Sequence, residues 1–159
     1  MIKLGVLLAL AFVASTHSID DFGAVPNDSS TKAALNNKNA MLKAIDAAMA
    51  DKTDRTVEVP FGKNRERNEY WMLEVAAFNL TDITFEINGE IVFPDDQTLY
   101  PHFGNSYSDL IYLENCKNIH FKGSGSLEGQ GYWWWVNEFL GKNKYGRPHL
   151  VHVNTCENF

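Results

Sequence analysis

Residues 123–135 read Gly-Ser-Gly-Ser-Leu-Glu-Gly-Gln-Gly-Tyr-Trp-Trp-Trp, and this run constrains the architecture more strongly than any other part of the chain. Its four glycines recur after two or four residues, and three consecutive tryptophans follow them. Glycine lets neighbouring backbones approach closely, whereas tryptophan offers a broad flat face with a hydrogen-bonding edge. The pattern fits neither an amphipathic helix nor an ordinary hairpin strand. It predicts a fold in which short strands repeat and turn sharply.

The chain before and after this run repeats itself. Residues 78–91 can be laid on residues 114–127, and a third copy begins at Leu150 and runs to Phe159. Apolar residues, an asparagine and a glycine recur at matching places. The matched pairs of the first two copies are Asn79 with Asn115, Ile83 with Ile119, Phe85 with Phe121, Gly89 with Gly125 and Ile91 with Leu127. In the third copy Val151, Val153 and Cys156 take the places of Ile111, Leu113 and Cys116.

Units of this size, with alternating apolar residues and glycine at the corners, describe coils of a parallel β-solenoid. Each coil exposes apolar upper and lower faces until another stacks on it, so about three coils are needed for stability. Apolar residues at helical spacing predict a helix over residues 37–49, which would cap one end of an otherwise all-β structure. The edge at Phe159 is predicted to stay open, for self-association or for a missing C-terminal half.

The N-terminal residues have the layout of a secretory signal peptide. Lys3 precedes an apolar run, Leu4–Ala14, and small or polar residues follow it. The run is too short to span a bilayer and ends in residues that a signal peptidase accepts. We therefore predict a signal peptide over residues 1–18, one mature domain over residues 19–159, and a secreted, extracellular protein.

The composition excludes several classes of partner. The formal net charge is −6 at pH 7, with 20 Asp and Glu against 14 Lys and Arg. Neither nucleic acid nor an anionic membrane would be attracted by this field, and no segment after the apolar run is long and apolar enough to cross a bilayer. A few well-placed basic side chains could still hold a polyanionic sugar.

Four stretches resemble a known family, the polygalacturonase family of glycoside hydrolases (family 28), within the pectin-lyase-like proteins. They are Asp21-Phe22-Gly23-Ala24, Val57-Glu58-Val59-Pro60-Phe61-Gly62, the run 123–135, and Arg147-Pro148-His149-Leu150-Val151. The first two are shared with other β-helix families and bear on the fold, whereas the last two together point to family 28. One departure is Glu128, at a place where an aspartate is more usual.

The resemblance implies a right-handed parallel β-helix. Residues 19–159 would be its truncated N-terminal part, comprising the first coils and an N-terminal capping α-helix. The resemblance also implies the family's reaction, the inverting hydrolysis of α-1,4-galacturonosyl or related bonds in pectin of the plant cell wall. That reaction needs two carboxyl groups separated widely enough to admit a water molecule. The expected partner is therefore a pectin-like polysaccharide.

The family's catalytic segments do not occur in this sequence. They are an Asn-Thr-Asp, a Gly-His-Gly, an Arg-Ile-Lys and an Asp-Asp pair, all of which the family carries in coils after the one that begins here at Leu150. Asp95-Asp96 and Asp20-Asp21 are interpreted instead as a solvated turn and a cap, since paired acids are common in turns. We therefore predict that this chain has no catalytic or cofactor-binding residue and no glycosidase activity alone.

Trp133, Trp134 and Trp135 have two interpretations. They could stack on sugar rings, as aromatic faces do on the apolar surfaces of sugars. Alternatively they pack a predicted loop, residues 136–146, against the coil, and this interpretation is favoured because tryptophan is mostly core or anchor material. Two N-glycosylation sequons begin at Asn27 and Asn79, of which Asn79 is the better candidate if its corner is exposed.

Cys116 and Cys156 fall in equivalent places of successive coils. They are therefore expected about 5 Å apart, within the separation that a disulfide allows. Secretion would permit the bond, but parallel neighbouring side chains point the same way, which favours two buried thiols. The histidines of the chain lack the spacing of metal ligands, and no metal site is predicted.

Two functions from different classes remain open. The first is a secreted polygalacturonase-like hydrolase whose catalytic part is absent from these 159 residues. The second is a non-catalytic secreted carbohydrate-binding β-helix protein. In-frame Asn-Thr-Asp and Asp-Asp segments downstream would favour the first, and a genuine stop codon the second. A third, a β-helix lyase, would use calcium, and no calcium-binding acidic cluster is evident in the sequence.

Overall fold

The computed structural model describes residues 16–63 and 66–159. These residues form short strands, two α-helices and two single 3-10 turns, and none of the described helices is long and apolar enough to cross a membrane. The helices are α1, Thr31–Ala50, and α2, Gly131–Phe139; the 3-10 turns are Ile19–Phe22 and Gln97–Leu99. The strands are β1 His17–Ser18, β2 Thr56–Val59, β3 Glu69–Trp71, β4 Val75–Phe78, β5 Thr81–Ile87, β6 Glu90–Val92, β7 His102–Phe103, β8 Ser106–Tyr107, β9 Ile111–Glu114, β10 Lys117–Lys122, β11 Ser126–Glu128 and β12 Val151–Asn154.

Most of the predicted signal peptide, residues 1–18, lies outside the described residues. Its last two residues form β1, which pairs in parallel with β2. His17 lies opposite Val57 and Ser18 opposite Glu58, so the sheet pairing of the chain begins inside the segment assigned to the signal peptide.

Three parallel sheets hold the described strands other than the antiparallel pair β7–β8. Sheet A has the order β1-β2-β5-β10, sheet B the order β3-β6-β11 and sheet C the order β4-β9-β12. From β3 onward the chain passes from sheet B to C to A and back to B, so each circuit adds one strand to each sheet. The described structure is therefore β-rich and built of parallel sheets.

The strand register follows the internal repeat. Ile83 lies opposite Ile119 in sheet A, and Ile91 opposite Leu127 in sheet B. In sheet C, Val151 lies opposite Ile111. These pairs are the ones that overlaying the three copies predicts, and that prediction is confirmed.

The core lies between the sheets, where alternate strand residues meet. Like residues stack on like because the strands are parallel and in register: the rings of the buried Phe85 and the exposed Phe121 are 4.9 Å apart and nearly parallel. Fully burying a large apolar side chain such as that of Phe85 contributes about 1.5–3 kcal/mol. The largest fully buried side chains are Tyr70, Phe93, Ile19, Met72, Ile83, Ile91, Leu113, Ile119, Val57, Val59 and Asn37.

Helix α1 begins at Thr31, six residues before the predicted start, and ends at Ala50. Its N-cap is Ser30, whose Oγ accepts a hydrogen bond from the N–H of Ala33 at 3.2 Å, and such a cap stabilises a helix by about 1 kcal/mol. The predicted start was wrong because it relied on apolar spacing, which is weak over the small residues of the first turns. The helix packs against β1 to β5, where the first strands of all three sheets lie.

Left-handed backbone follows each strand of sheet C. The residues concerned are Asn79 and Asp82, Asn115 and Asn118, and Thr155 and Asn158, all with φ between 54° and 57°. Asparagine and aspartate tolerate this conformation better than other residues with a side chain. Asn118 donates to Asp82 at 2.6 Å, and Asn158 donates to Asn118 at 2.9 Å. This ladder of side chains connects the three circuits.

Candidate functional site

An open groove of about 520 Å³ lies over sheet B. Its lining includes residues from all three strands of that sheet, in register: Glu69 opposite Glu90, and Val92 opposite both Trp71 and Glu128. Neighbouring parallel strands are about 4.8 Å apart, so these carboxylates share one surface. The complete lining is Glu69, Trp71, Glu90, Val92, Asp95, Glu128, Gln130, Gly131, Tyr132 and Trp133.

One wall of the groove is the first turn of α2. Gln130 precedes the helix in a left-handed conformation, with φ 44° and ψ 46°. Its backbone N–H donates to Glu128 Oε1 at 2.5 Å, and its side-chain amide donates to the carbonyl of Phe93 at 3.0 Å. These contacts fix where α2 begins. Tyr132 and Trp133 therefore line the groove. Their rings pack edge-to-face, with centroids 5.0 Å apart.

The groove combines aromatic faces with hydrogen-bond acceptors. Tyr132 and Trp133 are 70% and 52% exposed, so their rings are open to a ligand. The four carboxylates accept hydrogen bonds from hydroxyl groups, and none of the described lining residues is basic. Such a surface suits a ligand with apolar ring faces and many hydroxyls. It disfavours a ligand that carries many negative charges of its own.

The three tryptophans lie in a helix, and the expectation that their run fits no helix is wrong. Consecutive helical residues point about 100° apart, so the three side chains cannot share one role. Trp134 is buried against Tyr107, with ring centroids 5.1 Å apart, and it anchors the helix. Trp133 lines the groove.

Trp135 lies outside the groove, next to it. It is 61% exposed, and the guanidinium carbon of Arg147 lies 3.5 Å from the centre of its ring. This is a cation–π contact, worth about 0.5–1 kcal/mol at an exposed site. The predicted loop 136–146 is shorter than expected because α2 continues to Phe139. Sugar stacking by these tryptophans stays a prediction.

The acidic pairs occupy different environments. Asp96 caps the 3-10 turn Gln97–Leu99, and the hydroxyl and N–H of Thr98 donate to its Oδ1 at 2.7 and 2.9 Å. These hydrogen bonds lower the pKa of the Asp96 carboxyl, which is the wrong direction for a general acid at neutral pH. Asp95 lines the groove. Asp20 accepts a hydrogen bond from the Tyr70 hydroxyl at 2.9 Å.

Both sequon asparagines are exposed, in different surroundings. Asn27 Oδ1 accepts a hydrogen bond from the N–H of Glu69 at 3.0 Å, and its amide nitrogen donates to Asn68 at 3.2 Å. Asn79 lies at the exposed corner between sheets C and A, which is the condition that made it the better candidate. Glycosylation of either residue stays a prediction.

Cys116 and Cys156 lie in successive circuits, next to the parallel bridge between Lys117 and Glu157. The backbone N–H of Cys116 donates to the sulfur of Cys156 at 3.2 Å. Both are free thiols, Cys116 buried and Cys156 half-buried. Burial raises the pKa of the Cys116 thiol, and the adjacent Cys156 raises it further. The disulfide stays an untested alternative.

We expect Cys156 to be alkylated several-fold faster than Cys116 in the native protein. The thiolate is the reactive form, and Cys116 is both buried and held protonated. Brief iodoacetamide treatment followed by peptide mass spectrometry gives the ratio, and unfolding the protein first should equalise the two. An intact mass, measured without reductant, that is lower by the hydrogens lost on oxidation would instead establish the disulfide.

Sequence reasoning missed part of the groove. Glu69, Trp71 and Glu90 were not singled out, whereas Glu128, Tyr132 and Trp133 lie in the run quoted first. A usable signal exists in the repeat: Glu90 and Val92 overlay Ser126 and Glu128, so outward positions of sheet B could have been identified. Strand β3 has no counterpart in the overlay, and its residues needed the structure.

Comparison with known proteins gives a distant relationship. A polygalacturonase from Malus domestica is 27% identical to this chain over 150 residues. The aligned part covers 91% of this chain and 29% of the relative, so the chain spans less than a third of the relative's length. No protein-family model and no solved structure matches the chain. The similarity supports a family 28-like relationship and nothing finer.

Proposed function

We propose that the chain is part of a secreted polygalacturonase-like glycoside hydrolase, and that the groove over sheet B holds its polysaccharide. The observation that carries the proposal is the 27% identity to the Malus domestica polygalacturonase across 91% of the chain. The groove is the proposed binding site for the polysaccharide. One wall of it comes from residues 131–133, within the stretch that most resembles family 28.

The proposal includes a right-handed parallel β-helix. Its support is the constant order in which the chain visits sheets B, C and A, with in-register stacking in each. The handedness follows the strong right-handed preference of parallel crossovers. Residues 19–159 would then be the N-terminal part of a longer domain, with α1 as the cap, which agrees with the 29% share of the relative.

Secretion is also part of the proposal. Its support is Lys3 followed by the apolar run Leu4–Ala14. Thr16 donates a hydrogen bond to Glu58 at 3.2 Å, and β1 pairs with β2. A cleavage site before Thr16, rather than after Ser18, would remove the apolar run and keep these contacts.

The charge of the groove restricts the class of polysaccharide that it can bind. Four carboxylates line it, and polygalacturonate carries one more on each sugar. Charges inside a groove of this size lie within the Debye length of about 8 Å at physiological salt. The groove therefore favours esterified segments of pectin, or a neutral polysaccharide, over free polygalacturonate.

The chain's part in the reaction is to bind and orient the polysaccharide. Tyr132 and Trp133 would stack on sugar rings, while Glu90 and Glu128 would accept hydrogen bonds from hydroxyls. Inverting hydrolysis needs an acid and a base about 6.5–9.5 Å apart, and the family's segments for those roles are absent from this sequence. The chain alone is therefore expected to bind without cutting.

We expect Tyr132→Ala and Trp133→Ala each to weaken binding of highly esterified pectin oligosaccharides by roughly 3–10-fold. The estimate takes about 0.5–1.5 kcal/mol for each stacked ring. Isothermal titration calorimetry measures the change. The matched control is Phe139→Ala, which removes a 90% exposed ring from the same helix outside the groove. An equal loss of affinity in all three variants, or no binding of pectin by the unmodified chain, would contradict the proposed groove.

Two further readouts separate the parts of the proposal. At low salt, free polygalacturonate should bind more weakly than the esterified form. Glu90→Gln should reduce this difference in affinity, because it removes one negative charge from the groove. No reducing ends should appear above a heat-killed control. Their release would show that the catalytic carboxyls lie in this chain. A non-catalytic carbohydrate-binding protein predicts the same binding, and the gene sequence beyond codon 159 distinguishes it from the hydrolase.

A further inference from the structure

One aspartate and two histidines, Asp109, His149 and His152, meet at the start of β9 and β12, away from the groove. His149 Nδ1 lies 2.8 Å from Asp109 Oδ1, and His152 Nδ1 lies 2.5 Å from Asp109 Oδ2. One ligand atom from each of the three residues lies within 4.8 Å of the other two. The cluster joins two successive circuits of the chain.

The strand register brings these residues together. Val151 lies opposite Ile111, so His149 comes opposite Asp109, two residues earlier in each circuit. The histidines show no metal-ligand spacing along the chain because the carboxylate that joins them is 40 residues before His149. The repeat is the signal that could have found it, since the overlay of Leu150 on Leu110 places His149 on Asp109.

The carboxylate of Asp109 is held in place by hydrogen bonds. Its side chain is only 16% exposed, and its Oδ1 also accepts the backbone N–H of His149 at 2.8 Å. Both of its oxygens face imidazole nitrogens, Oδ1 that of His149 and Oδ2 that of His152.

The two imidazole rings are in contact with neighbouring rings and are also exposed to solvent. His152 packs edge-to-face on Tyr112, with ring centroids 5.2 Å apart, and His149 lies 5.1 Å from His152. Their side chains are nevertheless 70% exposed for His149 and 42% exposed for His152. Solvent and small ions can therefore reach the cluster, and the rings can adjust.

We propose that Asp109, His149 and His152 bind a divalent transition-metal ion of the zinc type. Two imidazole nitrogens with one carboxylate oxygen are a donor set that suits Zn²⁺, Co²⁺ and Ni²⁺, whereas Ca²⁺ requires six or more oxygens. Bonds of about 2.0–2.2 Å separate neighbouring ligands of a tetrahedral ion by about 3.4 Å. One ligand atom from each of the three residues already lies within 4.8 Å of the other two, so these separations need to change by no more than about 1.4 Å to reach that value, and water completes the coordination.

The ion would act as a clamp between circuits. It would tie the loop before β12 to the loop before β9, and it would do so independently of any sugar in the groove. An ion that binds only the folded chain stabilises it by mass action. The acidic net charge of the protein also favours the approach of a cation.

The test uses the full chain without a histidine tag. Co²⁺ titration should give a visible d–d spectrum that saturates at one ion per chain, and Zn²⁺ should abolish that spectrum by competition. Zn²⁺ at a hundredfold excess over its Kd should raise the Tm by on the order of 5–10 °C. Ca²⁺ at the same concentration should leave the Tm unchanged.

Three variants and one control assign the ligands. His149→Ala, His152→Ala and Asp109→Asn should each weaken binding by at least about tenfold, since even changes beside a metal ligand cost 10–100-fold. His120→Ala removes an exposed histidine from sheet A. This control variant should bind the metal ion as tightly as the unmodified chain does. His149→Ala, at a largely exposed site, keeps the test valid if Asp109→Asn folds poorly. Absence of the cobalt spectrum, or full binding by all three variants, would overturn the proposal.

Discussion

Gly123→Ala is expected to destabilise the protein by about 2–5 kcal/mol. Gly123 has φ 121°, a conformation that side chains rarely adopt, and an added Cβ would lie 2.0 Å from the carbonyl oxygen of Ile87. Left-handed backbone costs about 1–2 kcal/mol for a residue with a side chain, and overpacking costs about 1–3 kcal/mol. The obstruction is backbone of the preceding circuit, so no change of rotamer can relieve it. The loss is a large fraction of the 5–15 kcal/mol by which domains are stable.

Urea denaturation measures this loss, and two other glycines separate its causes. Gly104 has φ 58° with nothing within 4 Å of an added Cβ, so Gly104→Ala should cost only the conformational term. Gly125→Ala tests the close approach, because its Cβ would lie 1.9 Å from the carbonyl oxygen of Gly89. If Gly123→Ala costs no more than Gly104→Ala, the circuits do not stack as closely as the structure has them.

The repeat made the parallel stacking predictable. A parallel strand pair places equivalent residues of successive circuits side by side, so a pattern that recurs in the sequence becomes a register in space. Gly89 and Gly125 match for this reason, as do Phe85 and Phe121. The asparagine at the bend was predictable too, because few other residues accept the left-handed conformation.

Helix α2 was not predictable from its own residues. A nine-residue helix is too short to be stable alone, and its first turn follows a glycine-rich run that disfavours helix. The helix forms because Trp134 is buried against Tyr100 and Tyr107, about 30 residues earlier in the chain. That tertiary contact overrides the local preference, and it is invisible in a pattern of neighbouring residues.

The groove depends on distances that the sequence does not contain. Its carboxylates come from three strands, at Glu69, Glu90 and Glu128, and become neighbours only when sheet B forms. In the sequence each one alone is an ordinary acidic residue; in the structure Glu69 and Glu128 are exposed and Glu90 is half-buried. The aromatic wall has the same origin, since Tyr132 and Trp133 face the groove only because Gln130 fixes the start of α2.

Asn37→Ala is expected to cost about 3–5 kcal/mol of stability. Asn37 is fully buried in α1. Its Oδ1 accepts the N–H of Val25 at 2.6 Å, and its amide donates to the carbonyls of Val25 and Trp71 at 3.0 and 2.7 Å. Alanine would leave those backbone groups without this partner, at about 1–3 kcal/mol for each buried group. The Val25 amide should also exchange its hydrogen faster, which hydrogen-exchange mass spectrometry or NMR detects.

Asn36→Ala and Asn39→Ala are matched controls on the same helix. Both asparagines are exposed, so their replacement should change the stability by less than about 0.5 kcal/mol, or raise it slightly because alanine favours helix. Asn37 also ties α1 to Trp71, which lines the groove. A variant that stays folded should therefore bind polysaccharide more weakly, whereas the two controls should bind normally. Equal stability of all three variants would show that Asn37 does not join the helix to sheet B.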